Sequence, residues 1–260
     1  MQARDTIPLA PLEPAPCTGC RSGETGEIAF EFAFQPIVDI RRRTIYAHES
    51  LVRGPEGQSA ASVLAQVNDS NRYQFDQACR IKAVSTAARF GMQEKLSINF
   101  LPNAVYRPEL CIRTTFETAE QCKFPLERII FEVTEGERVQ DRAHLVSIFH
   151  AYRRFGFLTA IDDFGAGYAG LNLLAEYQPH LVKIDMDLVR NIDSHRPRQV
   201  IVASIATMCR DLGIEILAEG VETRAECEFL AQAGIPLMQG YWFSKPVFQG
   251  LASIDPAAWP

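Results

Sequence analysis

From residue 28 onward, short apolar runs of strand length alternate with longer stretches in which apolar residues recur at helical spacing. The pattern predicts strands at 29–38, 44–52, 95–100, 128–134, 157–162, 181–185, 214–218 and 235–239. Between them it predicts helices at about 61–69, 72–90, 102–107, 109–121, 138–155, 168–177, 187–191, 197–212, 223–233 and 248–252. Regular strand–helix alternation implies parallel strands joined by helical crossovers. Eight strands in one body fit a closed (β/α)8 barrel of the α/β class better than two small domains. The first two runs are joined only by "DIRRR", too short for a parallel crossover. They are therefore expected to form an antiparallel hairpin, which leaves one strand of the barrel reversed.

The first 27 residues are dense in proline and glycine and poor in large apolar side chains, so they read as a tail or linker. The folded domain is expected at 28–254, with a short C-terminal tail at 255–260.

Composition narrows the class. With 26 basic against 32 acidic residues the 260-residue chain carries a net charge of −6, which argues against DNA, RNA or anionic membranes as partners. Apolar runs such as "VIVASIAT" fall well short of the ~18 residues that suggest a span. The N-terminus has no basic-then-apolar leader, so a cytoplasmic location is expected. Seven cysteines, odd in number and mostly scattered, do not resemble a disulfide framework. Cys17 and Cys20, in "CTGC", have metal-ligand spacing but lack the further ligands of a structural zinc site nearby.

The candidate chemistry lies at the strand ends, because barrel active sites are built on the C-terminal rim. There the sequence delivers Glu49, Asn99, Glu132 and Glu135, then Asp162 and Asp163, Lys183 and Asp185, Glu219 and Glu222, and Gln239. One such carboxylate alone would be read as a helix cap or a solvated side chain. Glu49, Asn99, Glu132 and Asp162, however, lie inside otherwise apolar runs, where an unpaired charge is expensive. Converging carboxylates need a cation, and oxygen donors without cysteine or histidine suit magnesium, manganese or calcium rather than zinc. The adjacent aspartates of "IDDFGAGYAG" would serve one site if Asp162 ends the strand and Asp163 begins the turn, on either side of a pair of ions. Two metals about 3.5–4 Å apart activate water and stabilise the leaving oxygen of a phosphoester. Lys183 is either a positive charge for that chemistry or a lysine snorkelling from a strand end.

Eight stretches, "FQPIVD", "HESLVRG", "SINFLP", "FEVTEGE", "IDDFGAGYAGL", "LVKIDMDLV", "LAEGVET" and "MQGYWFSKP", carry a resemblance over about residues 30–250. The chain resembles the EAL domain, the cyclic di-GMP phosphodiesterase family, whose fold is a modified TIM barrel with one antiparallel strand. The resemblance implies that Glu49, Asn99, Glu132 and Asp162 bind metal, that Asp163 holds or bridges a second ion, and that Lys183 positions the attacking water. Glu219 would be a general base or a metal-bridging ligand. Gln35, Arg53, Glu222 and Gln239 would contact substrate, and Glu135 would anchor the loop that begins at Asp163. It further implies two Mg2+ or Mn2+ ions, with Ca2+ an inhibitory or structural substitute, and cyclic di-GMP cleaved to pGpG in bacterial second-messenger signalling. A homodimer through the helices after the fifth and sixth strands is implied as well, with a sensor or cyclase domain beyond the N-terminal tail.

The sequence departs from the family pattern in several places. Ser50 replaces the signature alanine, with little effect expected; Gly54 stands where an aromatic residue is common; Ala166 and Gly170 replace a threonine and a serine, removing two hydroxyls from the loop after the aspartates. The acidic set is complete, which favours turnover over a module that only binds the dinucleotide or a protein.

Overall fold

In the computed structural model, which describes residues 28–134, 142–167 and 170–260, the first two apolar runs fold as the hairpin that their short connection demands. Strand β1 (Glu31–Asp39) pairs antiparallel with β2 (Thr44–Arg53), in a register running from Glu31 opposite Arg53 to Asp39 opposite Thr44. The Asp39 carboxylate accepts the backbone N–H groups of Arg41 and Arg42 at 3.0 and 3.1 Å, an Asx turn that starts the reversal. Arg43 completes it with φ of 53°.

From β2 the chain continues through β3 (Lys95–Asn99), β4 (Ile129–Thr134), β5 (Leu158–Phe164), β6 (Leu181–Ile184), β7 (Glu215–Ala218) and β8 (Leu237–Met238). Each of these is parallel to the strand before it. Strand β1 closes the barrel, antiparallel to both β2 and β8. The helices are α1 (Ala60–Leu64), α2 (Arg72–Arg89), α3 (Pro108–Cys111), α4 (Arg113–Cys122), α5 (Arg142–Arg154), α6 (Gly170–Glu176), α7 (Met186–Val189), α8 (Arg196–Asp211) and α9 (Arg224–Gln232). One large apolar core fills the space between the strands and these helices. None of the helices among the described residues is long and apolar enough to cross a membrane.

A second, smaller core plugs the barrel interior: Ile37, Ala47, Ile130, Ala160, Leu181, Leu217 and Leu237. Strand side chains alternate faces, so the residue two places on points inward one layer higher. Those residues are Glu49, Glu132, Asp162, Lys183, Glu219 and Gln239, with Gln35 two places earlier on the reversed β1. The functional layer thus rests on an apolar floor.

The structure corrects several predicted elements. Residues 102–107 form only a 3-10 turn at Pro102–Ala104, and the helix expected at 109–121 is divided into α3 and α4. The helix expected at 248–252 is replaced by a ninth strand, β9 (Val247–Phe248), paired outside the barrel with Ala33 and Phe34. Strand β8 covers β1 only at Val38 and Asp39, so the open edge of β1 beyond them takes up β9 instead. Five cysteines, Cys79, Cys111, Cys122, Cys209 and Cys227, are free thiols. Cys17, Cys20 and Glu135 lie outside the described residues.

Candidate metal centre at the barrel mouth

Lys183 is fully buried at the C-terminal end of β6 and stands among four carboxylates. Its ammonium nitrogen is 2.9 Å from Glu219 Oε1, 3.0 Å from Asp162 Oδ1, 3.2 Å from Glu132 Oε2 and 3.6 Å from Glu49 Oε2. The snorkelling alternative is excluded, because the head group points into the barrel rather than to water. Burial disfavours its charged form, but the summed field of Asp162, Glu132, Glu219 and Glu49 raises its pKa well above the usual lysine value.

One ammonium does not balance this ring. Burial, reinforced by neighbouring carboxylates and opposed by Lys183, pushes the carboxyls of Glu132 and Glu219 well above the ordinary range. Neutral donors hold the rest of the layer. Asn99 Nδ2 donates to Glu132 Oε1 at 2.8 Å and to Glu49 Oε1 at 3.3 Å, and Gln239 Nε2 donates to Glu49 Oε2 at 2.8 Å. Ser97 Oγ donates to Glu132 Oε2 at 2.6 Å.

The adjacent aspartates reach one mouth by a different route from the expected strand end. Strand β5 runs on through Asp163 to Phe164, and its register against β6 slips between Ile161 and Phe164. Asp163 sits in the left-handed region at φ of 53°, which interrupts the alternation that would send it to the opposite face. Its backbone N–H donates to Asp162 Oδ1 at 2.9 Å. Burial first, then the charges of Asp162 and Asp185, push the Asp163 carboxyl up to about 6.

Two overlapping sets of oxygens result. Glu49, Glu132 and Asp162 offer ligand atoms within 4.8 Å of one another, and so do Asp162, Asp163 and Glu219. Asp162 belongs to both. The all-oxygen donor set, the excess of negative charge, and the buried Gln239 Oε1, which has no hydrogen-bond partner, fit hard divalent cations.

Beside these groups opens a cavity of about 260 Å³ lined by Gln35, Glu49, Asp163, Glu219, Glu222 and Gln239, with Asp185, Met186, Gly220, Gly240 and Tyr241 completing its wall. Gln35 is fixed by donating to Ser244 O at 3.2 Å, and Glu222 accepts from Arg190 at 3.1 Å. Arg53 ends β2 outside this wall, its guanidinium folded back onto the Val52 carbonyl at 2.8 Å. The space beside Gly54 is filled by the Gln58 side chain. Glu226, buried at the start of α9, accepts the N–H groups of Glu222, Thr223 and Asn191, tying the loops after β6 and β7 together. Asp185, a strand-end residue in the sequence, lines this wall; nothing in the sequence marks Met186 or Tyr241 for it, whereas the period-two position of Ser97 before Asn99 is a signal for Ser97.

A closed eight-stranded barrel with one reversed strand and an acidic mouth at the C-terminal ends of its parallel strands is a modified TIM barrel. Residues 25–246 match the EAL domain model, and the chain belongs to that family. A standalone versatile EAL protein from Vibrio cholerae O395, solved in its c-di-GMP-bound form, is 52% identical with a TM-score of 0.87, over 90% of this chain and 99% of that one. BlrP1 from Klebsiella pneumoniae, solved with manganese and cyclic di-GMP, is 36% identical with a TM-score of 0.82, over 88% of this chain and 58% of that one. The antirepressor BluF of Escherichia coli K12 is 36% identical over 88% of this chain, and PdeB of Shewanella oneidensis, a cyclic di-GMP phosphodiesterase, is 38% identical over 50% of it. The chain spans 56% of BluF and 15% of PdeB.

Proposed function

We propose that this protein is a metal-dependent phosphodiesterase that hydrolyses one phosphodiester of cyclic di-GMP to linear pGpG, and that residues 28–254 are the unit that does so. The observation that carries this reading is the ring of Glu49, Glu132, Asp162 and Glu219 around Lys183, with Asp163 turned into the same mouth. Glu49, Asn99, Glu132 and Asp162 would hold one cation, and Asp162, Asp163 and Glu219 a second, Mg2+ or Mn2+ in each case; calcium would be a non-productive substitute. When bound, such ions supply an acidified water and offset charge on the phosphoryl oxygens.

The chain's own residues do the rest. Lys183 donates toward the attacking water and keeps it oriented. Glu219 takes that water's proton, a role supported by its position beside Lys183 and on the cavity wall. Gln35, Gln239 and Glu222 face the phosphodiester and sugar edges, while Arg53, released from the Val52 carbonyl, reaches the phosphates or a guanine. A cavity of about 260 Å³ is smaller than the usual ligand pocket, so the bases extend past its rim.

Pairing of two copies through the helices after β5 and β6 is supported by Val200 and Ile201, apolar side chains left exposed on α8. A second reading, a module that binds without turnover, is favoured by one observation: BluF, among the relatives, is an antirepressor. Incubation with cyclic di-GMP and Mg2+ or Mn2+, followed by chromatography, separates the two. Formation of pGpG that stops with EDTA supports the enzyme; measurable binding without product under either metal supports the module.

A further inference from the structure

Ser97 lies two residues before Asn99 on β3, level with Glu49 on β2, and its side chain is fully buried. Its hydroxyl donates to Glu132 Oε2 at 2.6 Å, the short end of O–H···O hydrogen bonds. Asn99, from the same strand, donates to the other oxygen at 2.8 Å. The plane of the Glu132 carboxylate is therefore set from β3 at both ends. Ser97 is itself held from the far side: its backbone carbonyl accepts the Ser50 hydroxyl at 2.8 Å, a buried link from the position where the family signature has alanine.

Lys183 competes for the same oxygen, Oε2, at 3.2 Å. A carboxylate beside a buried ammonium tends to turn fully onto it, because the low surrounding dielectric strengthens that pair. The Ser97 hydroxyl occupies part of Oε2 and holds the group short of that collapse. We infer that Ser97 is a positioning residue of the metal centre, keeping Glu132 presented to a divalent cation rather than sequestered by Lys183. This rests on the reading of Glu132 as a metal ligand. Groups that orient ligands in this way typically matter by about 10–100-fold in metal affinity.

The test is Mn2+ binding by the full chain, followed through the electron paramagnetic resonance signal of free Mn2+, for the native protein and the variants Ser97→Ala, Ser97→Thr, Ser50→Ala and Glu132→Gln. The expected result is a Kd raised about 10–100-fold in Ser97→Ala, with the metal-free thermal midpoint close to native. Ser97→Thr, which keeps the hydroxyl, and Ser50→Ala, which leaves Glu132 untouched, are expected near the native Kd. Native affinity in Ser97→Ala, equal weakening in Ser97→Ala and Ser50→Ala, or a Ser97→Ala chain that does not fold would each overturn the inference, the last by making the role structural. Native protein that takes up no Mn2+, or binds it as well with Gln at position 132, removes the underlying reading and the inference with it.

Discussion

The ammonium of Lys183 stands 2.9 Å from Glu219 Oε1, and both groups belong to a layer that rests directly on the apolar plug of the barrel. The lysine is thus the internal counter-ion of the mouth as well as a candidate catalytic group. Removing it as Lys183→Met leaves four carboxylates facing one another without a cation. Breaking a buried ion pair from one side costs about 3–5 kcal/mol. Urea denaturation of the metal-free protein at pH 7 is expected to show a loss of that size, smaller at pH 5, where the carboxylates take up protons instead. Equal stability of variant and native chain at pH 7 would mean that Lys183 compensates nothing.

Glu219→Gln keeps the shape of the side chain but removes its ability to accept a proton. Turnover of cyclic di-GMP is expected to fall by about 10²–10⁴-fold, while binding of the dinucleotide, measured calorimetrically, stays within a few-fold. Unchanged turnover would take Glu219 out of the mechanism.

Asp163 titrates near 6 in the metal-free protein, above its ordinary value of 3.8. A raised carboxyl pKa means that the folded state holds this proton more tightly than the unfolded chain does. Its contribution to stability is therefore present below about pH 4 and lost as pH rises through about 6. Without metal, Asp163→Asn should gain stability relative to the native chain between pH 4 and pH 7. With Mn2+ the sign reverses: native affinity should rise through pH 6 as the carboxylate forms, and Asp163→Asn should flatten that step. A native Mn2+ titration independent of pH between 5 and 7 would contradict this.

Gly240 sits between Gln239 and Tyr241 where two loops of the mouth cross. A Cβ there would come within 2.0 Å of the Val221 carbonyl oxygen and 2.3 Å of its nitrogen, and backbone cannot step aside as a side chain can. Gly240→Ala is expected to destabilise the protein by about 3 kcal/mol and to loosen substrate binding, seen as a lower thermal midpoint together with a raised KM. A native midpoint would show that the loops are free to separate.

Much of the fold was legible because it is written in local periodicity. The short connection after the first strand forced a hairpin, and alternation of apolar runs with helical stretches called for a barrel with parallel crossovers. The site was legible for the same reason: Ala47 and Glu49, Ile130 and Glu132, Leu181 and Lys183 share a face by the two-residue repeat, so plug and site residues arrive together on each strand. What escaped was non-local. Strand β9 looked like part of a helix because its partner, the open edge of β1, lies more than 200 residues away in the chain.

The sequence by itself determined which side chains reach the mouth, since strand alternation and strand ends are properties of a few consecutive residues. Only the tertiary structure decided how they meet there. It placed Lys183 among four carboxylates, three from other strands and one just after β7, turned Asp163 into the site through a left-handed residue at a register slip, and joined Ser50, Ser97 and Glu132 across three strands. Those relations depend on barrel closure, which brings distant strands within a few ångströms and fixes the charge balance that no single segment carries.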